Sequence, residues 1–156
     1  MISFSLIFNT TIRLSDISGN YSTDDTFYYK SNGVTQFYKF EDNIWKNDPY
    51  LYPGDGYWAK FSQSNNWILS GPMFDTIAQT TFEANVMNSF GLTQYQNVTL
   101  EHLSNNTFAN DDTIYYKSNG VTQFYKYEDG VWKNNPSLHP GEGYWAKFSN
   151  QNTLLF

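Results

Sequence analysis

The side chains of this chain that could carry chemistry recur in pairs. Tyr57-Trp58 is spelled again as Tyr144-Trp145, each followed two residues on by a lysine (Lys60, Lys147), and Tyr28 has a twin in Tyr115. Flat aromatic faces beside polar groups suit a glycan: the ring covers the C–H face of a pyranose, and amides or carboxylates take its hydroxyls. Packing is the competing reading. Neighbours on a strand point to opposite faces, so one ring of each Tyr-Trp pair belongs to a core. Trp58 shares its face with Lys60, which predicts that its indole, rather than Tyr57, lies nearer solvent.

Carboxylates recur in the same way. Asp24-Asp25 and Asp111-Asp112 are hard oxygen donors of the kind that hold calcium, although the spacing of an EF-hand loop is missing and Asp before a strand also closes Asx-turns. No other cofactor is implied. Glu41 with Asp55, or Glu128 with Glu142, gives the carboxylate pair that a glycosidase uses, yet these positions fall at turns and strand ends, where acids serve solubility. The two histidines, His102 and His139, stand where the other copy has Asp16 and Tyr52. G-x-S-x-G, H-E-x-x-H and phosphate-loop motifs are absent from the sequence. The chain has no cysteine, so thiol chemistry and disulfides are excluded. The expectation is a protein that is not an enzyme.

The elements that position these residues come from a duplication. Residues 24–62 match 111–149 without gaps, identical at 31 of 39 positions, and "MISFSL" at Met1 answers "MNSFGL" at Met87. The chain divides into a β-repeat over 1–70, a connector with an extra strand over 71–86, and a second β-repeat over 87–156. Asn32-Gly33 and Asn119-Gly120 stand between aromatic runs, a strong hairpin signal. A two-residue loop there pairs Ser31 with Val34, Tyr29 with Gln36 and Phe27 with Tyr38. It puts Tyr28, Lys30, Thr35, Phe37 and Lys39 together on a partly wet face. A second tight turn at Asp42-Asn43 (Asp129-Gly130) sets Phe40 opposite Trp45, which makes a three-stranded meander of each half. Strands are also read at Ile2–Phe8, Val86–Leu92, Asn66–Leu69 and Asn152–Leu155. Ser15 to Gly19 reads as one helical turn capped by Ser15. The predicted fold is all-β: two pseudo-two-fold-related meander repeats packed into a sandwich- or barrel-like body.

A net charge of −6 argues against nucleic acid as a partner. No apolar run is long enough for a membrane helix, so no membrane insertion is expected. The start of the chain lacks the basic and small-residue pattern of a signal peptide.

The order "MISFSL", "LSDISG", a Tyr-rich hairpin with "NG", a lone Trp and finally "PGDGYWAKF" resembles tandem β-repeat modules. These end in L-x-P-G-x-G-Y-W-x-K and occur in surface and secreted proteins of bacteria and in large viruses of algae and protists. The resemblance covers both copies and implies an accessory, adhesive or structural role at a virion or cell surface. Two functions follow as expectations: a non-catalytic structural or assembly module acting through protein partners or self-assembly, and a glycan-binding adhesion module with two related sites. One further expectation concerns an edge. "TTFEANV" before the second copy has no counterpart before Met1, so if it extends the second sheet, the edge near residues 1–8 is vacant and a neighbouring subunit fills it.

Overall fold

The computed structural model describes residues 1–67, 69–74, 79–102, 108–134 and 137–155. The first half holds β1 (Ile2–Ser5), β2 (Ile12–Arg13), β3 (Thr26–Ser31), β4 (Val34–Glu41), β5 (Ile44–Trp45), β6 (Tyr50–Leu51) and β7 (Gly56–Lys60). β8 (Gln79–Phe82) leads into the second half, with β9 (Met87–Gly91), β10 (Val98–Thr99), β11 (Thr113–Ser118), β12 (Val121–Glu128), β13 (Val131–Trp132), β14 (Ser137–Leu138), β15 (Gly143–Lys147) and β16 (Asn152–Leu155). Two antiparallel five-stranded sheets result, ordered β1-β7-β3-β4-β5 and β9-β15-β11-β12-β13. Three two-stranded pairs, β2–β6, β10–β14 and β8–β16, accompany them. The fold is all-β and sandwich-like, as the alternation and turn residues predict.

Turn chemistry sets the register. Asn32 and Gly33 have φ of 49° and 76°, and Asn119 and Gly120 have 50° and 81°, the left-handed pair that a type I′ hairpin requires. Ser31 therefore pairs with Val34, Tyr29 with Gln36 and Phe27 with Tyr38, and Phe40 lies opposite Trp45. One face of each sheet is covered by its own half. Leu6, Leu14, Phe27, Leu51, Tyr57 and Ala59 belong to the first core; Phe90, Leu92, Leu100, Ile114, Tyr144 and Ala146 belong to the second.

Three local expectations are corrected. The helical turn is a 3₁₀ turn at Leu14–Asp16 with no side-chain cap; Ser15 instead donates its N–H and Oγ–H to Asp48, at 2.9 and 2.7 Å. The region 66–69 forms no strand among its described residues, and Ile68 lies outside them. The extra strand, β8, pairs with β16 and not with β9, so β1 and β9 hold the same edge position in their sheets and the predicted vacancy at residues 1–8 has no basis.

What β8 does is close a core. Phe82 stands edge-on to Phe90 (5.5 Å between ring centroids) and to Phe148 (5.1 Å). In the first half Trp67 stands edge-on to Phe4 (4.9 Å) and Phe61 (5.3 Å), the positions equivalent to Phe90 and Phe148.

Between the halves the backbones touch. A Cβ on Gly56 would overlap the Phe90 carbonyl oxygen, and one on Gly143 would overlap that of Phe4, so the joint demands glycine at both positions. Hydrogen bonds cross it reciprocally. Ser5 N donates to Gly141 O (2.9 Å) and Gly91 N to Gly54 O (2.7 Å); Ser3 Oγ donates to Lys117 O (3.0 Å) and Ser89 Oγ to Lys30 O (2.7 Å).

Candidate functional site

The second face of each sheet, turned away from its own core, carries the candidate residues. In the first half cross-strand pairing lines up Ser3, Trp58, Tyr28 and Phe37 in one row. In the second, Ser89, Trp145, Tyr115 and Phe124 form the matching row. The rows meet where Trp58 and Trp145 stand nearly perpendicular, their ring centroids 4.2 Å apart. Outward from that joint, Tyr115 stacks on Trp145 at 6.1 Å and faces Phe124 at 6.3 Å, while Tyr28 faces Phe37 at 5.3 Å. Six rings thus run from one half into the other. Exposure rises outward: Trp58 is 5% exposed, Tyr28 and Tyr115 are half-buried, and Phe37 and Phe124 are 51% and 61% exposed.

The placement of Trp58 departs from expectation. It does share its face with Lys60, but the other half covers that face at this point, so the indole is buried in the joint. Tyr57 and Tyr144 are core residues as the alternation requires, each 1% exposed. Their hydroxyls are engaged too: Tyr57 donates to Asp55 (3.2 Å) and Tyr144 to Glu142 (2.6 Å), while the backbone N–H groups of Tyr52 and His139 donate to them. Burial, helped by the adjacent carboxylates, raises both phenols above their ordinary range. Burial also pushes the Asp55 carboxyl up to about 6, with the Tyr57 hydroxyl pulling the other way.

The aspartate pairs have structural partners. Asp25 Oδ2 accepts from Ser22 N, and its Oδ1 accepts from Ser62 N and Ser62 Oγ at 2.8–2.9 Å. Asp112 accepts from Ala109 N and Ser149 N. Each reaches back to the N–H three residues earlier, not two residues on as in an Asx-turn, and ties that loop to the second residue after β7 or β15. Asp24 and Asp111 have positive φ (75° and 73°) and hold Lys39 and Lys126, both at 2.7 Å. No cluster of three metal-ligating side chains occurs among the described residues, and the calcium expectation gains no support from this geometry. Glu41 and Glu128 are bound to the same two lysines, at 2.8 and 2.6 Å.

Cations divide into two sets. Arg13, Lys39, Lys46, Lys126 and Lys133 have acidic partners. Lys30, Lys60, Lys117 and Lys147 have no ion pair among the described residues, and all four lie on the aromatic faces. Lys30 and Lys117 come from different halves and line one slot of about 160 Å³ together with Tyr28, Trp58 and Trp145. Sequence reasoning missed Lys30, Lys117, Phe37 and Phe124 as site residues. The hairpin register had already placed all but the second-copy equivalents on the face of Tyr28, and the repeat supplies those. What it could not supply is the crossing that brings the halves together.

Comparison of the chain with protein-family models, with curated proteins and with solved structures found no match.

Proposed function

We propose that this protein is a non-catalytic structural or assembly module of a virion or cell surface that works through protein contacts. One observation carries the reading: equivalent hairpins of both halves present exposed apolar side chains on a strand edge. Val34 and Val121 are each 58% exposed, beside Phe37 and Phe124. Along β4 the neighbouring β5 reaches only Phe40 and Glu41, and along β12 the neighbouring β13 reaches only Tyr127 and Glu128. The outward backbone groups of Thr35, Phe37, Thr122 and Phe124 thus have no strand beside them among the described residues, and such edges pair readily with another chain unless blunted. Residues 28–39 repeat letter for letter at 115–126, whereas the buried Phe27 is Ile114 in the other half.

Further support is chemical. The acids that could have formed a catalytic pair already hold a tyrosine hydroxyl or a lysine. Of the aromatic residues a glycan would use, Trp58 is covered by Trp145 and Tyr57 by the core, while Trp145, Tyr28 and Tyr115 are half-buried.

Light scattering with electron microscopy over a range of concentrations tests the reading. Association of the wild-type chain, abolished by Phe37→Lys with Phe124→Lys while the fold is kept, is the expected result. A monomer at every concentration, together with glycan-array binding abolished by Phe37→Ala and Phe124→Ala, would overturn it in favour of adhesion.

A further inference from the structure

We propose that the slot between the halves binds a small carboxylate with a compact apolar body. This goes beyond the contact function above and does not depend on it. The slot holds about 160 Å³, and its exposed lining is apolar, supplied by Met1, Tyr28, Thr35, Trp58, Trp145 and the aliphatic stems of Lys30 and Lys117. Lysine stems cover apolar surface while their ammonium groups reach for water. The stems of two lysines, one from each half, therefore meet at one small apolar opening, and neither lysine is paired to an acid among the described residues. Like charges beside a low-dielectric wall repel, and an anion between them relieves that repulsion.

The backbone at both lysines is held across the joint. Ser89 Oγ donates to Lys30 O at 2.7 Å and accepts from Lys30 N at 3.2 Å. Ser3 Oγ donates to Lys117 O at 3.0 Å. The Trp58 Nε1–H, buried in this wall, has no acceptor among the described residues. The net charge of −6 does not oppose a local cationic site, because salt at physiological strength screens charges beyond about 8 Å. The body of the ligand is set by the rings and its head by the lysines, which excludes a cation and disfavours a neutral molecule of the same shape.

The test is a titration of the whole chain with benzoate, benzyl alcohol and benzylamine, followed by the ¹H–¹⁵N signals of the Trp58 and Trp145 indoles. Benzoate is expected to shift both in a saturable way. Benzyl alcohol should bind about tenfold more weakly, the worth of a charge-assisted hydrogen bond, and benzylamine should not bind. Lys30→Met and Lys117→Met keep the stems, so each should weaken benzoate several-fold and leave benzyl alcohol unchanged; the pair should bring benzoate to the level of the alcohol. The single variants serve if the double variant does not fold. Equal affinity for benzoate and benzyl alcohol, indifference to both lysines, or no indole shift with benzoate would overturn the proposal.

Discussion

In the second half, Phe82 comes from a strand ahead of β9, stands edge-on to Phe90 and Phe148, and is fixed by the β8–β16 ladder. In the first half, Trp67 comes from the segment after β7 and meets Phe4 and Phe61 in the same manner, with no ladder beside it among the described residues. The core asks for an aromatic edge at that place and is indifferent to which side of the chain supplies it. A larger ring does alone what a smaller ring does with a strand. The hairpin tips differ as well: Gly33 N donates to Met87 O (3.0 Å), whereas Gly120 has no neighbour within 4 Å of a Cβ placed on it. Like-built halves thus share the glycine contacts of the joint at Gly56 and Gly143 but differ at their margins and in the bonds that the first hairpin tip adds across it.

The joint gives the largest expected effect. Gly56→Val drives a side chain into the Phe90 carbonyl and should cost about 4 kcal/mol or more, with loss of the near-UV circular dichroism of the paired tryptophans. Gly143→Val should do the same; a tolerated valine at either position breaks the claim that the halves agree there. The closures come next. Phe82→Ala should cost about 3–5 kcal/mol in urea unfolding, and Trp67→Ala about 3 because that ring is partly exposed. A negligible effect of Trp67→Ala would mean that the two rings are not equivalent.

A smaller contrast separates the buried aspartates. Asp25→Ala leaves three donors unmet and Asp112→Ala two. Costs of about 2–3 and about 1–2 kcal/mol are expected, read from chemical denaturation; the reverse order would contradict the count. Asp55 acts with the opposite sign. Its folded pKa of about 6 lies above the ordinary 3.8 because burial penalises the charge. The folded chain therefore binds more protons between these values, and stability falls as pH rises from about 4 to about 6. Asp55→Asn should remove that slope and raise stability at pH 7 by about 2–3 kcal/mol. Thermal unfolding of both chains at pH 4 and pH 7 measures it, and an unchanged slope would contradict it.

Much of each half was legible in the sequence, because its determinants are local. Asn32-Gly33 and Asp42-Asn43 turns impose positive φ and with it the register that pairs Phe27 with Tyr38 and Phe40 with Trp45. Alternation placed Tyr57 inside. It also put Trp58 on the lysine face, and there local reasoning ended: only the crossing of the halves decides whether that face is wet. The same crossing hides the need for glycine at 56 and 143, since the clashing carbonyls belong to residues far along the chain. The β8 error has a related cause. An extended stretch announces a strand but not its partner, and here Phe82 enters the second core from a ladder with β16.

Native-state hydrogen exchange at Ser5 and Gly91 tests the central claim most directly, because each amide donates across the joint to the other half. If the halves are locked into one body, both amides exchange as slowly as those in the centres of β7 and β15, at the free energy of global unfolding. Rapid exchange at both, with the sheet centres still protected, would show two independent halves and contradict the account.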